Sequence, residues 1–190
     1  MSRPISYDPD AAVDRAVDLF WTHGYQALSV DDIVRETGLN RHSLYARFGN
    51  KFGLLQAALD RYCEVTQARL QAAVSVPGTP RQRIEALFRL RLPDVADEFW
   101  RRMLDHGCFG IRALSELREE RPELVQLGTV FSRSIESLLL PILREGQERG
   151  EIRRDRTPEQ LATVLAVGFM APLMLPADEA RNRAFLALLD

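Results

Sequence analysis

Between residues 8 and 50 the chain starts and stops a helix three times in quick succession, and this punctuation limits the possible folds more than any other feature. Asp8-Pro9-Asp10 supplies an N-cap acid, a proline suited to the first helical position and a further acid for the first turn. Val13, Ala16, Val17 and Phe20 follow helical spacing, and Gly24 is placed to end the segment. Ser29 opens a capping box with Asp32, with Leu28 and Ile33 in the positions of a hydrophobic staple, and Gly38 stops this helix early. Asn40 caps a third helix, flanked by Leu39 and Leu44 in the same arrangement, and Gly49 ends it. Asn50 then caps a longer helix predicted to run to about Val76, where Pro77-Gly78 breaks it.

The rest of the chain is also written in helices. Thr79-Pro80 starts one that puts Ile84, Leu87 and Phe88 on a single face. A bend is expected from Pro93 to Glu98, then one or two helices over residues 99–119, interrupted near Gly107 and Gly110. Pro122 opens a long segment with Leu124, Leu127, Phe131, Ile135, Leu138 and Ile142 at spacings of three and four, in which Pro141 is expected to cause a kink. Thr157-Pro158-Glu159-Gln160 is a capping box with proline at the first position, and a last helix is predicted from about Asp178. No stretch sustains period-two alternation and no internal repeat is present, so the predicted fold class is all-α.

Composition removes several function classes. With 46% hydrophobic and 27% charged residues, the chain has the profile of a globular protein and not of a disordered tail. Its formal net charge of -2 points to neither nucleic acid nor membrane at the level of the whole chain. Two cysteines, Cys63 and Cys108, make no disulfide framework and no metal-ligand spacing, which suits a reducing cytoplasm. Met1 to Asp10 lacks the apolar core of a signal peptide, and the longest uncharged run, Leu161 to Pro176, falls short of the ~20 residues needed to span a bilayer. No paired histidines in a metalloprotease spacing, no dinucleotide fingerprint, no nucleophile elbow and no phosphate loop occur. Catalytic residues, metals and cofactors are therefore not expected.

Two short helices joined through Thr37-Gly38-Leu39-Asn40, Ser29 to Thr37 and Arg41 to Phe48, form a candidate helix-turn-helix. Local charge strengthens the reading. From Thr37 to Gln56 there is no acid, while Arg41, His42, Arg47 and Lys51 are all present; the rest of residues 1–60 carries eight acids against three arginines. A nucleic-acid reader needs positive charge at its contact face, not throughout the chain.

The run Leu19-Phe20, Gly24-Tyr25, Ser29-Val30, Ile33-Val34, then Thr37-Gly38-Leu39-Asn40, Ser43-Leu44-Tyr45, Phe48 and Asn50-Lys51 resembles the tetracycline-repressor (TetR) family of bacterial regulators over about residues 10–60. One departure is Phe52-Gly53, where the family commonly carries an acid. The resemblance implies a helix-turn-helix DNA-binding domain over residues 1–50 and a larger helical ligand-binding and dimerisation domain over residues 51–190. It implies that Arg41, His42 and Ser43 face base edges in the major groove, that Tyr45 and Lys51 hold phosphates, and that Ser29 and Arg47 meet the backbone as well. For Tyr45 a half-buried packing ring is the alternative, and for Arg47 a solvated surface charge.

The family keeps its inducer pocket among the middle helices, which makes Phe88, Trp100, Met103 and Phe131 candidates for the lining; plain core packing is the competing reading. Tyr62, Phe99 and Phe109 belong to the same aromatic set, and Arg89, Arg91 and His106 are the polar groups that could meet a ligand acid. Cys108 stands between a redox sensor and a small core residue. The uncharged run from Leu161 needs cover on every side, which a second copy of the chain supplies. Leu161, Val164, Leu165, Phe169, Phe185 and Leu188 are the expected dimer contacts. The resulting expectation is a cytoplasmic, homodimeric repressor that binds a double-stranded DNA operator and answers to a small-molecule effector. The alternative is an all-α enzyme or small-molecule carrier in which the three-helix unit is only structural.

Overall fold

The capping side chains hold the helix ends that the sequence assigns to them. The computed structural model describes residues 8–90, 92, 95–170 and 179–190, and among these it contains ten α-helices and no strand. Helix α1 is Pro9–His23, with the Asp8 carboxylate accepting from the Asp10 amide at 2.9 Å. Helix α2 is Val30–Thr37, and its capping box is complete: the Ser29 amide donates to the Asp32 carboxylate at 3.0 Å while the Asp32 amide donates to the Ser29 hydroxyl at 3.1 Å. Helix α3 is Arg41–Phe48, capped by Asn40 through the Ser43 amide at 2.7 Å. Helix α4 is Lys51–Val74, and the Asn50 side chain accepts from the Gly53 amide at 2.9 Å.

Phe52-Gly53, where an acid is the family habit, has a structural reason here. A Cβ on Gly53 would lie 1.9 Å from the Phe48 carbonyl oxygen, so the end of α3 and the first turn of α4 approach too closely for any side chain. Phe52 is 8% exposed and takes part in the aromatic layer described below. The first turn of α4 thus gives up a favourable N-terminal charge for packing.

Helix α5 is Pro80–Arg89, α6 is Glu98–His106, α7 is Phe109–Leu117, α8 is Val125–Glu148, α9 is Pro158–Met170 and α10 is Glu179–Leu186. A 3-10 turn at Pro122–Leu124 precedes α8 and another at Ala187–Leu189 follows α10. Gly107, at φ +74, separates α6 from α7, as the sequence suggests. Gly110 does not interrupt anything: it lies inside α7, because a glycine with right-handed backbone is tolerated there at modest cost. Helix α8 runs through Pro141 without ending. The expected bend at Pro93, the residue Arg91, the start of the last helix at Asp178 and the dimer segment beyond Met170 lie outside the described residues, wholly or in part.

The helices pack as two compact units. The first comprises the chain up to Val65 together with Phe109–Leu124. Its core contains Phe20, Trp21, Ile33, Leu44, Leu54, Leu55 and Leu59, each at most 2% exposed. Tyr62 meets Trp21 edge-on at 5.0 Å and Phe109 at 5.6 Å. Phe48 and Val34 are half-buried at its margin. The second unit comprises Thr66–Cys108 and Val125–Asp190. Here Ile84, Leu87, Phe88, Ile135, Leu139, Leu143, Leu165 and Phe169 are almost fully buried, and Asn182 on α10 donates to the Phe88 carbonyl at 3.1 Å. That bond satisfies a carbonyl near the C-terminal end of α5 that has no partner within its own helix.

Candidate nucleic-acid interface

Helix α3 is held by one buried side chain and presents the others. Leu44 is fully buried, whereas Arg41, His42, Tyr45 and Arg47 are exposed and Ser43 is half-buried. At 45% exposure the Tyr45 ring is not a packing residue of the core. An eight-residue helix would not hold its shape alone, so its pose depends on the turn before it. Thr37 fixes that turn from inside. Its hydroxyl donates to the Ile33 carbonyl at 2.6 Å and accepts from the Leu39 amide at 3.3 Å, while Gly38 takes the left-handed conformation at φ +73. Thr37 is 8% exposed, which explains why a polar group here needs both partners.

The basic groups are restrained but not neutralised by burial. Arg41 donates to Asp31 through Nε at 3.1 Å and Nη2 at 2.6 Å, an exposed pair that keeps the guanidinium protonated even more firmly than usual. Such pairs are weak in water, so a phosphate or a guanine edge can compete for the arginine. Lys51 lies with Nζ 4.1 Å from the centre of the Tyr25 ring, and partial burial pushes its pKa down, with Glu116 pulling the other way. The Arg47 guanidinium rests 5.7 Å from the centre of the Phe48 ring. Ser29 uses its hydroxyl as the cap of α2, donating to Asp32 at 2.5 Å, and these bonds together with Arg35 pull the Asp32 carboxyl down to about 2. Ser29, Arg41, His42, Tyr45 and Arg47 are thus exposed polar groups on helices whose first turns are capped.

Sequence reasoning missed Glu116 and Arg121, which serve this unit from α7 and the turn after it. The Glu116 carboxylate accepts from the Tyr25 amide at 2.7 Å and the Gln26 amide at 3.0 Å, and the Arg121 guanidinium lies 4.2 Å from the centre of the Phe52 ring. No local pattern signals either residue, because both sit in the charge-rich Ser115-to-Arg121 segment, which reads as a solvated face.

The other predicted residues lie in the second unit. Phe88, Trp100 and Met103 are buried, and Phe131 is half-buried. Phe169 meets Phe88 edge-on at 5.9 Å and Trp100 at 6.3 Å. Among the expected dimer residues, Leu161, Leu165 and Phe169 are buried within the protomer. Phe185 is half-buried, crowding Gly168 and lying 6.4 Å from the centre of Phe88, and Leu188 is half-buried too. Val164, 45% exposed, shares an open stripe of α9 with Gln160, Thr163 and Val167. This stripe borders a cavity of about 670 Å³ lined by Arg153, Arg156, Glu159 and Leu188 among others. Cys108 is buried and Cys63 half-buried. Among the described residues no cluster of metal-ligating side chains occurs, and no helix is long and apolar enough to cross a membrane.

The model of the bacterial regulatory proteins of the tetR family matches residues 12–58, and that of the tetracyclin repressor-like C-terminal domain matches residues 80–184. The chain is 36% identical over 152 residues to the HTH-type transcriptional repressor ComR of Escherichia coli K12, covering 79% of this chain and 70% of that protein. It is 26% identical over 162 residues to the HTH-type transcriptional regulator YezE of Bacillus subtilis 168, covering 83% and 79%. Among solved structures, a cysteine-substituted form of the TetR family transcriptional regulator CifR, bound to 26-bp double-strand operator DNA, superimposes with a TM-score of 0.71. That pair is 25% identical and covers 99% of this chain and 96% of the other. The protein belongs to the TetR family of helix-turn-helix transcriptional regulators. These relatives are transcriptional regulators by name.

Proposed function

We propose that this protein is a cytoplasmic, homodimeric repressor that reads a pseudo-palindromic operator with α3 and leaves it when an apolar small molecule binds. The observation that carries the reading is the exposed basic face of α3 on a frame capped at every helix start. A recognition helix enters the major groove by its first residues, so Arg41, His42 and Ser43 meet bases while Tyr45, Arg47, Lys51 and Ser29 hold phosphates. The freely exposed Val164 and Val167 support pairing of two copies along α9, with Leu188 beside them. Leu161, Leu165, Phe169 and Phe185 then back this interface from within the protomer.

Effector binding acts by differential affinity: a ligand held among Phe88, Trp100, Met103 and Phe131 favours the state whose two reading heads are mis-spaced for DNA. Selection of bound DNA from a random pool, followed by a salt-dependent shift assay, tests the reading. The expected result is enrichment of a two-fold motif whose affinity falls steeply with salt. Ligand lining is tested by alanine substitution of the four candidates. If these changes alter stability but never the inducer response, the residues are core alone.

A further inference from the structure

We infer that Glu116 is a positioning residue for DNA reading: it clasps the loop between α1 and α2 and so sets the pose of the helices that meet the operator. The inference rests on the DNA-reading role of α3. The loop Gly24–Tyr25–Gln26 leads into the Ser29 cap of α2; the Gly24 amide still donates to the Phe20 carbonyl at 2.9 Å, and the amides after it lie beyond α1. Glu116 Oε2 accepts two of them, from Tyr25 at 2.7 Å and Gln26 at 3.0 Å, and the Gln26 side-chain amide donates back to the Glu116 carbonyl at 3.1 Å. Arg112, one turn earlier on α7, donates from Nε to the other carboxylate oxygen at 3.4 Å. The fit is tight on the loop side: a Cβ on Gly24, which sits at φ +83, would stand 2.2 Å from Glu116 Oε1.

The clasped residue is also the one that carries a DNA-facing cation. Tyr25 stacks on Phe20 at 6.0 Å, meets Phe52 edge-on at 6.4 Å and supports the Lys51 ammonium on its face. Arg121 covers Phe52, so α7 and the turn after it grip both the loop and the start of α4. A carboxylate bonded to two backbone amides is a charge-assisted contact with fixed geometry, unlike an exposed ion pair between two long side chains. Its loss frees Tyr25, and with it Lys51, to move relative to α3.

The test uses the full-length protein and the DNA motif selected from a random pool. Glu116→Ala is expected to lower operator affinity at least about tenfold while random-sequence DNA is bound nearly as before, so the specificity ratio falls. The salt slope is expected to change by less than about 1 per half-site, because the Lys51 charge is displaced but kept. Glu116→Gln, whose amide oxygen still accepts, is expected to recover most of the affinity. Gly24→Ala, made alone and with Glu116→Ala, is expected to show losses that are less than additive, since the double variant removes the carboxylate that the new methyl strikes. Operator binding by Glu116→Ala within twofold of the wild type would overturn the clasp. Equal losses on operator and random DNA, tracking a lowered melting temperature, would also overturn it, by reducing Glu116 to a fold residue. A wild-type protein that enriches no sequence overturns the DNA-reading role itself, and the clasp with it.

Discussion

Helices α3 and α9 both leave a face in water, and the two faces are chemically opposite. Helix α3 buries one residue fully, Leu44, and shows Arg41, His42, Tyr45 and Arg47. Helix α9 buries Leu161, Ala162, Leu165, Ala166, Gly168 and Phe169 and shows Thr163, Val164 and Val167. The first face is costly to dehydrate except against another charged surface, which is what a phosphate backbone offers. The second gains free energy when covered by apolar surface, which is what a second copy offers. The two helices are also held in different ways. Helix α3 depends on caps and a pinned turn, whereas α9 is held by side chains packed along most of its circumference.

If α9 is the pairing face, charge there breaks the protein in two. Val164→Asp, and Val167→Asp in turn, are expected to give a one-chain mass by light scattering at micromolar concentration. They are also expected to weaken operator binding by about 10²–10⁴-fold, since two tethered half-sites act through effective concentration. A wild-type mass of one chain would remove α9 from the comparison. The α3 face is tested next. Arg41→Ala is expected to lower affinity about 10- to 100-fold and relax preference at one base position. Lys51→Ala is expected to weaken all sequences alike and reduce the salt slope by about 1 per half-site. Uniform losses in both variants would make Arg41 a phosphate clamp and shift specificity to His42, Ser43 or DNA shape.

Smaller effects separate capping from contact. Ser29→Ala removes the hydroxyl that accepts the Asp32 amide and is expected to cost about 1 kcal/mol of stability, read by thermal or urea unfolding. A larger loss of DNA affinity than of stability would show that the hydroxyl also meets phosphate. The smallest effect is in acid. The Asp32 carboxyl is pulled from 3.8 to about 2 in the folded protein, so its stabilising contribution is fully present above pH ~4 and is lost as pH falls through about 2. Carboxyl chemical shifts followed by NMR are expected to give a midpoint near 2 for Asp32 in the wild type and a higher one in Ser29→Ala.

Much of this architecture was readable before any coordinates. Asp8, Ser29, Asn40, Asn50, Thr79 and Thr157 each cap the helix they precede, because capping is a contact between residues two or three apart and is therefore written locally. The family motif carried the DNA-reading candidates for the same reason: its spacing is that of one short structural unit. Gly110 shows where local reading stops, since a glycine acts as a breaker in one context and a helical residue in another, and the surrounding packing chooses.

The uncharged run from Leu161 calls for cover, all of it expected from a second copy of the chain. The tertiary structure divides it, giving Leu161, Leu165 and Phe169 to the protomer's own core and leaving Val164 and Val167 open. Glu116 is the sharpest case. Its partners lie about ninety positions away along the chain, at Tyr25 and Gln26, so no window of sequence contains the contact. By itself the sequence determined the helical character of the chain, the starts of the helices that carry their own caps, and which short helix carries the concentrated positive charge, all consequences of hydrogen bonds and periodicity over a few residues. Only the tertiary structure decided which apolar residues remain exposed, why Gly53 and Gly24 admit no side chain, and what holds the loop ahead of the reading helices. Those outcomes depend on which distant backbone atoms come within a few ångströms, and chain proximity does not encode that.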